Sequence, residues 1–462
     1  MSLFDSSKIE HSSIQKHVFK QGQLVGELAH QLFDDSILIE NELSFFDKIS
    51  KTKTCLDQDK TIFEGSFLWD KCFCMVDILT PYKDGWELIE VKSSTSVKPI
   101  HHHDLSFQYI VLSNLGLKIT KISVYTINTS YIRSGEIDVY SLFNQTDITE
   151  QVLELTEQTK KNIYEFKQID SNMTPEIPIG PHCSSPFNCS AKGHCWADIN
   201  EANSIFNLVD LSVSKKFNHY YKNNINLQDI QLTDNFSKKQ KLQIACIQES
   251  MDFINVAKLN QYLKKLTFPL VFLDFECYQS PVPQYDDVSP YSQIPFMFSL
   301  HILNETGDLA YSNFIYKPSM HPFKSIAEAL IQKIPLNGSI VVFNKAYESM
   351  IIESCIPFTP ELSESLMNIR NRLFDLEVPF KKFWFYMRDF NGKSSIKSIL
   401  PALLPGLGYE QLELSSGGSI NSIFNSYVNQ PDDSKIINIL IEYSKMDTYA
   451  MFLIYSKLTN FL

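Results

Sequence analysis

A chain of 462 residues exceeds one ordinary domain, and at about 150 residues per domain it divides into two or three. With 44% apolar and 20% charged residues it can bury large cores, which excludes long disorder. No run reaches the roughly 18–20 uncharged apolar residues of a membrane span, and the opening MSLFDSSKIEHSSIQK lacks the apolar centre of a secretory signal, so a cytoplasmic protein is expected. The net charge of −12 excludes a coat that binds nucleic acid through a global basic field and leaves local basic patches or metal ions to meet phosphate.

In chain order, IQKHVFKQGQLVGELAHQLF (15–34) has the apolar spacing of a helix and leads into a polar stretch to about residue 60. CFCMVDIL (72–79), WELIEVKSS (86–94) and KISVYTIN (121–128) read as strands, with DLSFQYIVLSNLG (104–116) as a helix before the last. Residues 1–170 are therefore expected to form an α/β domain. Residues 171–199 hold three cysteines among prolines and are too short for a core, so they read as an appendage; residues 200–265, rich in Asn and Lys, read as a helical connector. A second α/β domain is expected over 266–462: FPLVFLDFECY (268–278), PFMFSLHIL (295–303), LAYSNFIY (309–316) and SIVVFN (339–344) as strands, SIAEALIQKI (325–334) and INILIEYSKMDTYAMFLIYSKL (437–458) as helices.

Several common chemistries are excluded. The one GKS triplet, Gly392-Lys393-Ser394, has Met387 where a phosphate loop needs its first glycine, and G-x-G-x-x-G, G-x-S-x-G and H-E-x-x-H are all absent. What remains is carried by carboxylates and cysteines.

Glu90 and Lys92 in ELIEVK project on one strand face, and Asp77 sits on the preceding strand. Two acids and a lysine are the equipment of metal-assisted phosphodiester hydrolysis, the plainer alternative being a strand salt bridge. Asp77, Glu90-Val91-Lys92 and the following helix with Gln108 resemble the PD-(D/E)xK nuclease superfamily, in its RecB/Cas4-like exonuclease branch, over about residues 15–198. The resemblance implies a restriction-endonuclease-like fold, with Asp77 and Glu90 holding Mg²⁺ or Mn²⁺, Lys92 positioning or activating the nucleophile and Gln108 beside the centre. The branch carries a metal-binding histidine four residues after a glycine on its first helix. Counting from Gly22 reaches Gly26 here, and Glu27 or His30 is the candidate substitute.

Cys183, Cys189 and Cys195 follow C-x5-C-x5-C spacing, with His182 and His194 beside the outer two. In a cytoplasmic chain such spacing suggests a metal more than disulfides. The segment is similar to the C-terminal cysteine group of the same branch, which implies a [4Fe–4S] cluster whose fourth ligand is not identified; Cys55, Cys72 and Cys74 are candidates. A Zn²⁺ site with mixed nitrogen and sulfur ligands is the competitor, and unliganded thiols are the third alternative.

VFLDFEC places Asp274 and Glu276 on one face of an apolar strand, VVFNKAYE leads to Glu348 at a helix start, and Tyr443 and Asp447 stand one turn apart on a helix. Unpaired acids in such elements are costly, and a cation explains them. The pattern is similar to the DEDD exonucleases of the ribonuclease H-like fold, in the subtype with a Y-x3-D third motif, over about residues 266–462. Carried over, Asp274, Glu276, Glu348 and Asp447 hold the ions and Tyr443 orients or deprotonates the attacking water. Glu348 stands where an aspartate is usual, and Asp375 is the reserve candidate.

Together with YDDVSPYSQIPFMFSLHIL (285–303) and SSIKSILPAL (394–403), the two halves resemble an uncharacterised bacterial family that pairs a RecB-like nuclease domain with a DEDD-like domain. The expectation is a Mg²⁺- or Mn²⁺-dependent nuclease acting on DNA or RNA, and the two resemblances imply an exonuclease. The alternatives are a non-catalytic nucleic-acid-binding protein with drifted centres, or a scaffold. Weaker candidates are the His101–His103 run, which fits a solvated cap, and Lys238, Lys239 and Lys241, which fit a wetted surface.

Overall fold

The computed structural model describes residues 13–169, 177–197, 199, 203–233, 235–409 and 420–461. Residues 171–176 and 198 of the expected appendage lie outside the described residues. The chain separates into two units, Met1–Pro175 with Gln279–Ser292 and Glu176–Tyr278 with Gln293–Leu462. Both are mixed α/β.

The first unit is built on six strands that lie side by side in chain order: β1 (Ser36–Leu38), β2 (Thr61–Trp69), β3 (Cys72–Tyr82), β4 (Gly85–Lys92), β5 (Ile119–Ile127) and β6 (Phe143–Asp147). β2, β3 and β4 are antiparallel, and β5 is parallel to β4. That parallel step needs a crossover, supplied by the helix Pro99–Asn114. β4 is covered on both faces. Leu88 packs with Leu105 and Val111 of the crossover helix, whereas Ile89 packs with Val25 and Ala29 of the helix Ser13–His30. Helices on both faces of one sheet explain why Leu88 and Ile89 at the centre of β4 are both apolar and buried, where a one-sided strand would alternate. At Gly85 an added Cβ would lie 2.3 Å from the Lys118 carbonyl, so the close approach of the chain entering β5 requires glycine where β4 starts.

Residues 279–292 were expected in the C-terminal domain but belong to the first unit. Arg133 fixes them: its N–H donates to the Val288 carbonyl at 3.2 Å, its carbonyl accepts from Asp287 N at 2.9 Å, and its Nη1 donates to the Pro283 carbonyl at 3.0 Å. Val282 joins the same apolar cluster as Val25 and Ile89. Backbone pairing through turns leaves no periodic pattern, so this assignment was not legible in the sequence.

The second unit centres on a five-stranded sheet. After the short β7 (Phe253–Ile254) come β8 (Leu270–Tyr278), β9 (Ile294–Leu303), β10 (Leu309–Ile315), β11 (Ser339–Val342), β12 (Leu373–Asp375) and β13 (Phe385–Tyr386). The order across the sheet is β10-β9-β8-β11-β12, with β7 and β13 pairing separately. β8, β9 and β10 are antiparallel; β11 and β12 run parallel to β8. The helix Ser434–Thr459 lies on β8 and β9, with Phe272 of β8 set against Phe452 and Tyr455 at 5.9 Å between ring centroids. From residue 177 on, the described part of the expected appendage and the connector belong to this unit, where Cys183 packs with Ile179 and Phe217. Among the described residues no helix is long and apolar enough to cross a membrane.

Candidate metal centres

In the first unit, the register Ile78↔Ile89 sets the next residues outward, Asp77 and Glu90, side by side. Asp77 accepts a hydrogen bond from Val91 N at 2.7 Å. Glu90 is 5% exposed and pairs with the Lys92 ammonium, while Gln108 Nε2 donates to its other oxygen at 2.9 Å. Burial lifts Asp77 to about 6 against the Val91 hydrogen bond, and burial together with Asp77 lifts Glu90 to about 8. Two acids this close in a dry site disfavour joint ionisation, the condition that a divalent cation relieves.

Two further acids belong here that the sequence reading did not single out. Asp104, one turn before Gln108, lies 3.4 Å from both Lys92 Nζ and Gln108 Nε2. Glu64 falls opposite Asp77 by the register of β2 with β3, has φ 57° and is half-buried; burial, then Glu90, raises its carboxyl. An acid inside the apolar run TIFEGSFLW was the available signal. Glu27 is exposed and accepts from Gln23 at 3.0 Å. His30 stacks on Phe63 at 4.0 Å, and burial lowers its pKa. His101 Nδ1 accepts from Lys98 N at 3.2 Å at the crossover helix start.

In the second unit, β8 presents Asp274 and Glu276, and the helix Ser434–Thr459 brings Asp447 onto them. Ser299 pairs across from Asp274, and Ser444 donates to the Ser299 hydroxyl at 2.8 Å; one turn on, Thr448 bonds His301 at 2.8 Å. Asp447 lies between these two clips. Ligand oxygens of Asp274, Glu276 and Asp447 fall within 4.8 Å of one another, the sole such group of three His, Cys, Asp or Glu among the described residues. β11 runs parallel to β8, and its chain turns at Asn344 (φ 107°) into the helix Lys345–Cys355, which carries Glu348 in its first turn. Glu348 is 3% exposed.

Burial and then Asp447 raise Asp274 well above the ordinary carboxyl value; burial and then Asp274 do the same to Glu276 and Glu348. Asp447 is lifted to about 6 by burial, opposed by a hydrogen bond from Tyr409 and by Lys397. Glu276 Oε1 and Glu348 Oε2 are buried without a hydrogen-bond partner among the described residues. Glu87 of β4 shows the contrast: equally buried, it accepts from Ser123 at 2.6 Å and Gln145 at 2.8 Å and pairs with Lys121 at 3.0 Å. An acid with a structural role is satisfied; Glu276 and Glu348 are each left with a bare oxygen. A hard oxygen set with unused lone pairs fits Mg²⁺ or Mn²⁺.

Tyr443 is 4% exposed and accepts from Lys397 Nζ at 2.8 Å. Lys397 and Tyr409, the latter donating to Asp447, were not singled out as site residues. Asp375, the reserve candidate, accepts from Glu377 N at 3.0 Å. Cys183 is buried, whereas Cys189 and Cys195 are exposed. As the chain stands, the three sulfurs do not gather to the spacing one tetrahedral ion requires. Cys74 is buried near Asp104 and Glu90, with its thiol pushed up to about 12 chiefly by desolvation.

A family model described as a domain of unknown function, DUF2779, matches residues 271–395, which span β8 and the helix bearing Glu348. The uncharacterized protein MG366 of Mycoplasma genitalium is 27% identical over 216 residues, 42% of this chain and 32% of that protein. Its Mycoplasma pneumoniae homolog is 30% identical over 157 residues, 32% of this chain and 24% of that protein. The chain thus spans about a third or less of the length of these curated relatives.

Proposed function

We propose that this protein is a metal-dependent nuclease hydrolysing DNA or RNA phosphodiesters, with an exonuclease-type centre in the second unit and a PD-(D/E)xK-type centre in the first. The observation that carries the reading is the convergence of half-buried Asp274 with buried Glu276 and Asp447, drawn from a strand and a distant helix, with acceptor oxygens left unused at Glu276 and Glu348. The strand orders support it. The sequence third-second-first-fourth-fifth across the second sheet, with the last two strands parallel to the first, is the arrangement expected of a ribonuclease H-like domain. A helix, three antiparallel strands, a crossover helix and a parallel strand are expected of a restriction-endonuclease-like one.

Mg²⁺ or Mn²⁺ bound at either centre would lower the pKa of water and neutralise charge developing on the phosphate. Asp274, Glu276 and Asp447 would hold the cation, Glu348 would offer its bare oxygen, and Tyr409 donates to one Asp447 oxygen and leaves the other for the ion. In the first unit Asp77 and Glu90 would be the ligands, Gln108 orients Glu90, and Lys92 would supply a positive charge to the phosphate. Cys183, Cys189 and Cys195 are the donors proposed for a [4Fe–4S] cluster.

The test is cleavage of single- and double-stranded DNA and RNA by the intact protein in Mn²⁺, in EDTA, and with Asp77→Ala or Asp274→Ala. Metal-dependent cleavage reduced at least about hundredfold by one of these changes is expected. Activity indifferent to both changes removes the assignment, and tight binding without turnover in Mn²⁺ identifies a non-catalytic nucleic-acid-binding protein instead.

A further inference from the structure

The second centre contains a cation of its own. Lys397 comes from the helix Ile396–Leu403, which packs on the helix Ser434–Thr459. Its Nζ lies 2.8 Å from the Tyr443 hydroxyl and 4.9 Å from the ring centroids of both Tyr409 and Tyr443. The two rings are themselves 6.3 Å apart, so the ammonium is held against two aromatic faces as well as by a hydrogen bond.

The chemistry of this contact fixes the direction of one proton. An ammonium has donors and no acceptor, so in the Lys397–Tyr443 pair the phenol oxygen must accept. The Tyr443 O–H is then directed away from Lys397. It stays available to donate to a water or to a phosphate oxygen at the carboxylates one helical turn along, where Asp447 stands. A tyrosine meant to remove a proton from water would have to be a phenolate in a site crowded with acids. A tyrosine whose acceptor side is filled by a lysine is set up to donate.

We propose that Lys397 is a positioning residue of the second centre that acts through Tyr443, locking its hydroxyl as a hydrogen-bond donor that orients the attacking water instead of deprotonating it. The inference rests on the nuclease reading of this centre and deepens it. It also gives a role to the segment SSIKSILPAL, which the acidic motifs leave without one.

The experiment is a double-mutant cycle with Lys397→Met, Tyr443→Phe and the pair, plus Lys397→Arg. It is read as kcat and KM on single-stranded DNA in Mn²⁺, with Mn²⁺ affinity from electron paramagnetic resonance and folding from circular dichroism. Each single change is expected to lower kcat about hundredfold with KM within about threefold, and the double variant to fall no more than about twofold below the worse single. Lys397→Arg, which keeps charge and donors, should recover at least about tenfold of the loss. Mn²⁺ affinity should hold or tighten in Lys397→Met, because a competing cation has gone. Additive losses in the pair, Mn²⁺ binding weakened with Lys397 removed, or a Lys397→Met protein that keeps full kcat would each overturn the proposal. Wild-type protein that cleaves nothing overturns the nuclease reading itself and the inference with it; activity abolished by Asp274→Ala but additive in the cycle overturns the inference alone.

Discussion

Glu348 accepts no hydrogen bond at Oε2 among the described residues and faces Asp274 and Asp447, so its negative charge is opposed both by desolvation and by like charges. An isosteric amide removes the repulsion and also removes a ligand. Glu348→Gln should therefore raise the metal-free stability of the second unit by about 1–2 kcal/mol and weaken Mn²⁺ binding at least about tenfold. Thermal melts in EDTA and in Mn²⁺ check both halves; a variant less stable than wild type in EDTA would show that the carboxylate is satisfied after all. Glu64 offers the same test in the first unit. Its carboxyl is raised by burial and by Glu90, at a residue with φ 57° inside a strand, where a non-glycine side chain is strained. Glu64→Gln should stabilise the metal-free protein by about 0.5–1 kcal/mol, measured by urea midpoint. No gain in midpoint would mean that Glu90 does not oppose it.

The helix Ser434–Thr459 carries Tyr443 and Asp447, and its entry is fixed by Asp433, whose carboxylate accepts from Lys435 N at 2.8 Å and Ile436 N at 3.4 Å. Asp433→Ala should cost about 1 kcal/mol by losing this cap while leaving the centre intact, since Asp447 lies nearly four turns further on. Ser444→Ala should differ in kind. It breaks the 2.8 Å clip to Ser299 across from Asp274, so Mn²⁺ affinity should fall along with stability. A Ser444→Ala protein with unchanged affinity would show that helix packing alone sets the position of Asp447. The helix itself was legible from its apolar period, and β3, β4, β5, β8, β9, β10 and β11 from their apolar runs. So were the acids that interrupt those runs, because a charge in a two-sided buried strand conflicts with its surroundings. β2 was not read as a strand although it is largely buried, and Glu64 was lost with it. Tyr409 and Lys397 were missed for another reason: they reach the centre from loops and a short helix, where no periodicity marks a direction. Sequence spacing gives which residues share a face, not which loop folds over it.

Over the whole molecule, protons and metal ions compete for the same oxygens, and histidines oppose them at lower pH. Glu90 rises from 4.5 to about 8, Asp77 and Asp447 rise from 3.8 to about 6, and Asp274, Glu276 and Glu348 also rise. A carboxyl raised on folding binds its proton more tightly in the native state, so each contributes stability that is lost as pH climbs toward its folded value. His101 and His301, both buried, are lowered from 6.5 to about 4 chiefly by desolvation. The unfolded chain takes up their protons first, so their effect has the opposite sign and falls between pH 6.5 and about 4. Between about pH 7 and 8 the histidines are mostly neutral in both states and the carboxyls dominate. In EDTA stability should therefore fall as pH rises across that window, by up to about 1.4 kcal/mol per pH unit for each carboxyl still protonated in the native state. Saturating Mn²⁺ holds the same groups ionised, as they already are in the unfolded chain at these pH values, so the loaded native state binds no extra protons and the slope flattens toward zero. Urea midpoints at three pH values across the window, in EDTA and in Mn²⁺, measure both slopes. Parallel slopes in the two conditions would mean that the buried carboxyls are not where the metal binds.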